Sequence, residues 1–109
     1  MASEVMKVAL SKEITNTEKV LLTVAAGHTY TVLNLSICET GGNDETFDLY
    51  VDPLAGSNDT EIYSDQAIAA NATFEHTTRL VLEATDVLYC QLASTGDVDC
   101  VISYLDQTL

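Results

Sequence analysis

TEKVLLTVAAGHTYTVLNLSICE, residues 17–39, is the stretch that decides the fold class. An apolar run is followed by an Ala-Ala-Gly turn and then by a long segment in which apolar and polar residues alternate. Because side chains in a β-strand point alternately to opposite faces, Leu33, Leu35 and Ile37 are expected to share one face. Gly27 suits the turn, since glycine adopts positive φ without steric cost. This stretch predicts a β-hairpin.

The rest of the chain continues the pattern of short strands separated by turn residues. Pro53 ends one strand because proline has no N–H to donate to a neighbour. Residues 55–59 are predicted as a polar loop, and 94–96 as a three-residue hairpin loop with Gly96 in the left-handed conformation. Strands are predicted at residues 1–12, 20–24, 30–39, 46–51, 61–65, 73–83, 87–93 and 98–105.

These strands predict an all-β domain: an antiparallel β-sandwich, jelly-roll-like, with seven to eight short strands. A chain of 109 residues is long enough for one hydrophobic core. We expect a single domain at 17–109, preceded by an N-terminal arm or first strand at 1–16. Consecutive apolar residues at 80–82 and 87–89 favour burial on both faces, which in a two-layer sandwich places a second subunit against one face.

The charge is unevenly distributed along the chain. Up to Gly27 three lysines balance three glutamates, whereas the remaining fourteen acids are opposed only by Arg79, so the whole net charge of −13 lies after the turn. Such an acidic body is expected to repel nucleic acid and anionic membranes. The neutral first segment is the part best suited to contact another protein.

The sequence also bears on where the protein is made. Its start lacks a charged region followed by an apolar run, so no secretory signal is expected, and no window has the roughly 20 apolar residues of a membrane helix. Three cysteines cannot all pair within one chain. We therefore expect synthesis in a reducing cytoplasm with free thiols. Cys90 and Cys100 fall opposite each other across the predicted hairpin, but packing as small core residues is favoured over a disulfide; Cys38 is likewise expected to pack.

No constellation of catalytic residues is found, so an enzyme is not expected. His28 and His76 are isolated from each other and from any nucleophile or ligand spacing, and no cofactor or metal is expected. Acids and amides near residues 43–45, with Asp52 and Asp59, could hold calcium, although no known loop spacing is present. The five tyrosines, Tyr30, Tyr50, Tyr63, Tyr89 and Tyr104, would make a sugar-binding platform if they shared an exposed face, but half-buried packing is favoured.

Several segments together resemble a known family. These are the 17–39 hairpin, FDLYVDP, YSDQAIAANATFEHTTRLVLEATDVL and the closing YCQLASTGDVDCVISYL. They resemble small β-sandwich virion structural proteins of tailed bacteriophages, of the capsid decoration or cement type, over residues 17–105. In particular, residues 68–71 leading to a strand, followed by 82–88, resemble the cadence of this family, which is specific for the fold and virion context and not for the location in the virion. Such modules serve as capsid decoration proteins, head fibres, and tail or neck appendages.

The resemblance implies a bacteriophage capsid decoration protein, a homotrimer on the capsid exterior that binds the major capsid protein and stabilises the head. Within that hypothesis Lys7, Lys12 and Lys19 contact the capsid, and Leu80, Leu82 and Leu88 contact other subunits. No nucleic acid or membrane partner is expected. The alternative is a tail, neck or fibre module that contacts host surface glycans; a small cupin-like enzyme would need clustered histidines that are lacking.

Overall fold

Nine β-strands make up the computed structural model, which describes residues 2–53 and 59–108. Among these residues no helix is long and apolar enough to cross a membrane. The strands are β1 (Ser3–Ile14), β2 (Lys19–Thr23), β3 (His28–Glu39), β4 (Glu45–Asp52), β5 (Thr60–Ile68), β6 (Thr73–His76), β7 (Leu80–Leu82), β8 (Val87–Leu92) and β9 (Val98–Thr108).

The strands form two antiparallel sheets that pack against each other. Sheet A has the order β1-β9-β3-β6, and β7 also pairs with β3; sheet B has the order β2-β8-β4-β5. The strand pairs are nested around the β4–β5 connection. From the outside inward they are β1 with β9, β2 with β8, β3 with β6 and β7, and β4 with β5. This nesting is the connectivity of a jelly roll. The predicted all-β sandwich is therefore confirmed.

The core lies between the two sheets and is built from alternate residues of each strand. On β9, Val98, Cys100, Ile102 and Tyr104 are all buried, as the alternation predicts. Sheet B contributes residues such as Phe47, which is 1% exposed and packs edge-on against Phe74 and Tyr63. The hydrophobic face of each sheet is thus covered by the other sheet within a single chain.

Strand β3 departs from simple alternation at Leu33. The register with β9 shifts between Val32 and Asn34, so one extra residue is accommodated there. Val32 and Leu35 are both fully buried, whereas Leu33 is only half-buried. The expectation that Leu33 shares the core face with Leu35 and Ile37 is wrong, because a bulge rotates the strand between them.

The hairpin predicted for residues 17–39 is also wrong, although its turn is present. Gly27 has φ of +80°, and the N–H of His28 donates to the carbonyl of Ala25. However, β2 pairs with β8 in sheet B, whereas β3 pairs with β9 in sheet A. The turn carries the chain from one sheet to the other because β2 remains bound to β8 to its end, where the N–H of Val24 donates to the carbonyl of Asp86.

The closing hairpin is replaced by a second crossing between the sheets. β8 belongs to sheet B and β9 to sheet A, so Cys90 and Cys100 are not cross-strand neighbours. Gly96 lacks the predicted positive φ; a Cβ there would lie 2.5 Å from Oε2 of Glu45, so the Glu45 side chain would have to shift if another residue replaced this glycine.

Two further segments differ from or lie outside the predictions. Residues 73–83 form two strands instead of one, since the exposed polar residues 77–79 interrupt the pairing between β6 and β7. Of the polar loop predicted at residues 55–59, only Asp59 lies within the described residues.

Candidate interaction surface

The outer face of sheet A carries an exposed group of apolar side chains. Strand β1 pairs along its length with β9, with Met6 opposite Leu105, Val8 opposite Ser103 and Leu10 opposite Val101. Directly opposed residues in an antiparallel pair point to the same face. Ile102 and Tyr104 of β9 point into the core. The residues that alternate with them, and the β1 residues opposite, therefore point outward. We call this set the apolar face: Met6 (67% exposed), Val8 (59%), Leu10 (74%), Val81 (60%) and Val101 (45%).

Val81 joins the apolar face through a row of residues that crosses four strands of sheet A, namely β1, β9, β3 and β7. Met6 lies opposite Leu105, Leu105 opposite Thr31, and Thr31 opposite Val81. At the end of sheet A, Val81 also lines an open cleft of about 610 Å³ together with Thr29 and Gln107. The β3 residue of this row, Thr31, is polar but uncharged, so the row presents no charged side chain to another protein.

The outer face of sheet B has the opposite character. Asp48, Tyr50 and Asp52 alternate outward from the core residues of β4 and are joined by Glu61 on β5. Partial burial first, and then the negative charges of Asp48, Asp59 and Asp65, raise the pKa of Glu61. The two faces of the sandwich therefore differ: one is apolar and the other is acidic.

Two tyrosines pack on the acidic face. Tyr50 stacks on Tyr89 with ring centroids 5.3 Å apart, and its hydroxyl donates to the carboxylate of Glu18. Burial, followed by this hydrogen bond and the nearby acids, raises the pKa of Tyr50. Tyr50 faces outward by strand alternation, yet it is only 5% exposed because it packs against Tyr89 and Glu18.

None of the five tyrosines is fully exposed. Tyr30 and Tyr104 are buried side by side, with ring centroids 4.8 Å apart, and Tyr63 packs against Phe74. The tyrosines are thus distributed over three separate aromatic contacts in both sheets. This arrangement does not form the shared exposed platform that a sugar-binding face requires.

A buried carboxylate ties the terminal strands together. Asp106 on β9 is 4% exposed and accepts hydrogen bonds from Nζ of Lys7 at 2.7 Å and from Nδ1 of His28 at 2.6 Å. The bond from Lys7, and then that from His28, lowers the pKa of Asp106. The same bond to Asp106 raises the pKa of Lys7. Because the three residues lie on β1, β9 and β3, the network fixes the edge strand to its sheet.

His28 and His76 lie in separate environments. Within the described residues, the ring of His28 has no hydrogen bond to a serine, threonine or cysteine, so the pair with Asp106 lacks a nucleophile. His76 is buried and its Nδ1 lies 2.8 Å from the hydroxyl of Tyr63. No group of three histidines, cysteines or acids in residues 2–53 and 59–108 is arranged to hold a metal ion.

The lysines predicted to contact a capsid lie on two edge strands. Lys12 on β1 and Lys19 on β2 are exposed, and neither forms an ion pair with a described residue. Lys7 is engaged with Asp106, although its side chain remains 44% exposed. The sequence had no signal that linked Lys7 to Asp106, since 99 residues separate them.

The leucines predicted to contact other subunits lie mainly inside the protomer. Leu82 is 1% exposed and Leu88 is fully buried, and Leu80 packs half-buried against the same core. Their surface is already covered within one chain by the opposite sheet. Between Leu80 and Leu82, the exposed side chain is that of Val81, which belongs to the apolar face.

No protein-family model and no curated protein sequence matches the chain. Solved structures do share its fold. A chain from the acidic stable capsid of the Helicobacter pylori bacteriophage KHP30 is 16% identical, with a TM-score of 0.59, over 100% of this chain and 94% of that one. A chain from Bacillus endospore appendages, a family of disulfide-linked pili, is 7% identical, with a TM-score of 0.59, over 99% and 89%.

A third structure, of infectious bursal disease virus strain Gx, matches at 9% identity with a TM-score of 0.50. It covers 100% of this chain but only 32% of that one. At these identities the likeness shows the fold alone. The structural neighbours thus include capsid and pilus proteins that share this sandwich.

Proposed function

We propose that this chain is a bacteriophage virion structural protein, and specifically a capsid decoration protein that binds the major capsid protein and stabilises the head. The observation that carries the proposal is the contrast between the two faces of the sandwich. One outer face offers exposed Met6, Leu10 and Val81, whereas the other carries Asp48 and Glu61. A module with one apolar and one acidic face suits attachment to a shell by the first and exposure to solvent by the second.

Two lines of support are independent of this contrast. The segment before Gly27 is neutral, and its Lys12 and Lys19 are exposed without ion pairs among the described residues, so both are available for acidic groups on a capsid. The fold is shared with a chain from a bacteriophage capsid that it matches almost end to end. The resemblance to decoration proteins further implies a homotrimer on the capsid exterior.

The test uses two matched substitutions and capsids assembled without this protein. Val101→Asp places a charge on the apolar face, and Val20→Asp places the same charge on β2 of sheet B at nearly equal exposure, 45% against 47%. We expect Val101→Asp to abolish capsid occupancy and Val20→Asp, which lies beside Lys19 on β2, to weaken it much less. Equal binding of both variants would contradict attachment through sheet A.

A second experiment addresses the lysines without disturbing Asp106. Lys19→Glu alone, and Lys12→Glu with Lys19→Glu, should weaken occupancy progressively and more strongly at low salt, because exposed charge pairs are screened by salt. The wild-type protein should also raise the temperature at which the capsid disassembles. A protein that leaves capsids unbound and unstabilised would favour a tail, neck or fibre location instead.

A further inference from the structure

Each sheet of the sandwich has two edges, and three of the four edges are protected against pairing. β6 and β7 are short and interrupted, and β2 has five residues with a register shift. β5 is longer, but its pairing is irregular at two places, and it carries Glu61 and Asp65, with Asp65 at φ of +50°. Short, bulged and charged edges are the usual means by which proteins prevent edge-to-edge association.

Strand β1 is the exception among the described edges. It has twelve residues, pairs only with β9, and keeps a regular register from Ser3 to Ser11. Its outer row contains Met6, Val8 and Leu10, which are 59–74% exposed. A long, regular, apolar edge strand is a template for another strand.

The lysine within this stretch does not protect the edge. Nζ of Lys7 is held 2.7 Å from Oδ2 of Asp106, on the core-facing side of sheet A, so its charge is drawn away from the free edge. Lys12 continues the outward row beyond Leu10 and is exposed. At the other end of the same row, Glu4 uses Oε2 to accept a hydrogen bond from Gln107, which leaves Oε1 available.

We propose that β1 pairs with β1 of a second copy of this chain, antiparallel, about a two-fold axis at Val8. In this register Val8 lies opposite the same residue of the second copy, and Met6 lies opposite Leu10 on both sides of the axis. Glu4 lies opposite Lys12, also twice. Every outward residue from 4 to 12 is thereby matched, apolar with apolar and acid with base.

The neighbouring registers are poorer. A two-fold axis perpendicular to the sheet must place outward residues opposite outward residues, so the register can change only in steps that move the axis by one residue. With the axis at Lys7, two lysines would be directly opposed and Glu4 would face Leu10. With the axis at Ala9, Met6 would face Lys12, and Glu4 would have no outward partner, because Ile14 is buried after the register shift.

The pairing has a structural consequence for the apolar face. Two copies of sheet A would form one continuous sheet, with both outer faces on the same side. The exposed side chains of both copies, including Val81 and Val101, would then form one broad surface. Self-pairing stands on the geometry of β1 alone and does not depend on the virion role.

Disulfide trapping tests the register. In a Cys38→Ser background, which removes the half-buried native thiol, Val8→Cys should give a covalent dimer under mild oxidation, because opposed Cα atoms lie about 4.5–5.5 Å apart. Met6→Cys and Leu10→Cys should each remain monomeric on non-reducing gels when oxidised alone, but an equimolar mixture of the two should crosslink. Crosslinking by Met6→Cys or Leu10→Cys alone would overturn the register.

Light scattering tests the pairing itself, including its charge pattern. The wild-type protein should be a dimer, or an even-numbered larger oligomer if trimers also form. Lys12→Glu should weaken the dimer about tenfold, since two symmetry-related pairs change at once. Adding Glu4→Lys to that variant should restore the wild-type affinity. The proposal would be overturned if the wild-type protein is a monomer or a trimer and Val8→Cys gives no covalent dimer.

The tests of β1 pairing and of capsid binding can give independent results. For this comparison capsid occupancy is measured only with Val101→Asp and Lys19→Glu, which leave β1 unchanged; the double variant is left out because Lys12 lies on β1. A protein that dimerises through β1 yet ignores capsids would retain this inference and reject the decoration hypothesis. A protein that binds capsids as a monomer would support the decoration hypothesis and reject pairing through β1.

Discussion

Lys7 lies on the first strand and Asp106 on the last, and their side chains form a 2.7 Å ion pair in which the carboxylate is almost fully buried. Asp106 also accepts a hydrogen bond from His28, so three strands meet at one acidic group. The apolar edge strand is therefore fixed to its sheet by a polar contact as well as by backbone pairing with β9.

The first prediction concerns the stability of this network. Asp106→Asn should lower the unfolding temperature at neutral pH, because Lys7 and His28 lose their charged acceptor. Glu75→Gln, at an exposed acid on β6, should have little effect. Thermal unfolding by circular dichroism measures both, and equal temperatures for Asp106→Asn and wild type at pH 7 would contradict the network.

The pH dependence of that difference follows from the pKa directions. The pKa of Asp106 is lowered from 3.8, so its contribution is present above that value and is lost as the pH falls through the folded pKa. The pKa of Lys7 is raised from 10.5, so its contribution is present below that value and is lost as the pH rises further. The difference in unfolding temperature between wild type and Asp106→Asn should be largest from roughly pH 5 to pH 10.

The second prediction concerns the aromatic part of the core. Phe47 is 1% exposed and contacts Phe74 and Tyr63, so Phe47→Ala leaves a large cavity. The free energy of unfolding should fall by about 3–5 kcal/mol. Phe47→Leu should cost less, about 1–2 kcal/mol, because more of the volume is retained. Urea unfolding measures both, and an alanine variant as stable as the leucine variant would place Phe47 outside the core.

The third prediction concerns thiol reactivity. Burial raises the pKa values of the Cys90 and Cys100 thiols to about 12, so little thiolate exists at neutral pH. In the native protein only Cys38, which is half-buried, should react with a thiol reagent such as DTNB, and all three should react in urea. Cys38→Ser should abolish the native reaction. Rapid reaction of any thiol in native Cys38→Ser would contradict the burial of Cys90 and Cys100.

The fourth prediction concerns the acidic face. Because the pKa of Glu61 is raised from 4.5 by partial burial and by neighbouring acids, its charged form is disfavoured in the fold. Glu61→Gln should therefore raise the unfolding temperature at pH 7. The gain should disappear as the pH falls below about 4, where the carboxyl is protonated in both states, and should shrink in high salt. A gain that is independent of pH would exclude charge repulsion as its cause.

Part of the apolar face lies in the segment that the sequence analysis had predicted to contact another protein. The uneven charge distribution marked the first segment as the part suited to a protein contact, and β1 in that segment supplies the exposed Met6, Val8 and Leu10. The choice of Leu82 and Leu88 as subunit contacts did not anticipate their burial. Consecutive apolar residues indicate burial, but they do not reveal whether the covering partner is the other sheet or another chain.

Strand class and side-chain alternation were determined by local sequence. The period of two in β9 predicts that Val98, Cys100, Ile102 and Tyr104 share a face, and the structure buries all four. Positive φ at Gly27 was likewise predictable, because it depends on one residue. Such features arise from interactions within a few residues, which the sequence displays directly.

The partner of each strand was decided only by the tertiary structure. The short connections after β2 and after β8 look like hairpin loops, yet both cross between sheets, which separates Cys90 from its predicted neighbour Cys100. A strand presents the same backbone hydrogen-bonding groups to any neighbour. Which strand it pairs with therefore depends on which arrangement buries the apolar faces of both sheets at once. The pairing of Lys7 with Asp106, 99 residues apart, exists only because that choice brings the two ends of the chain together.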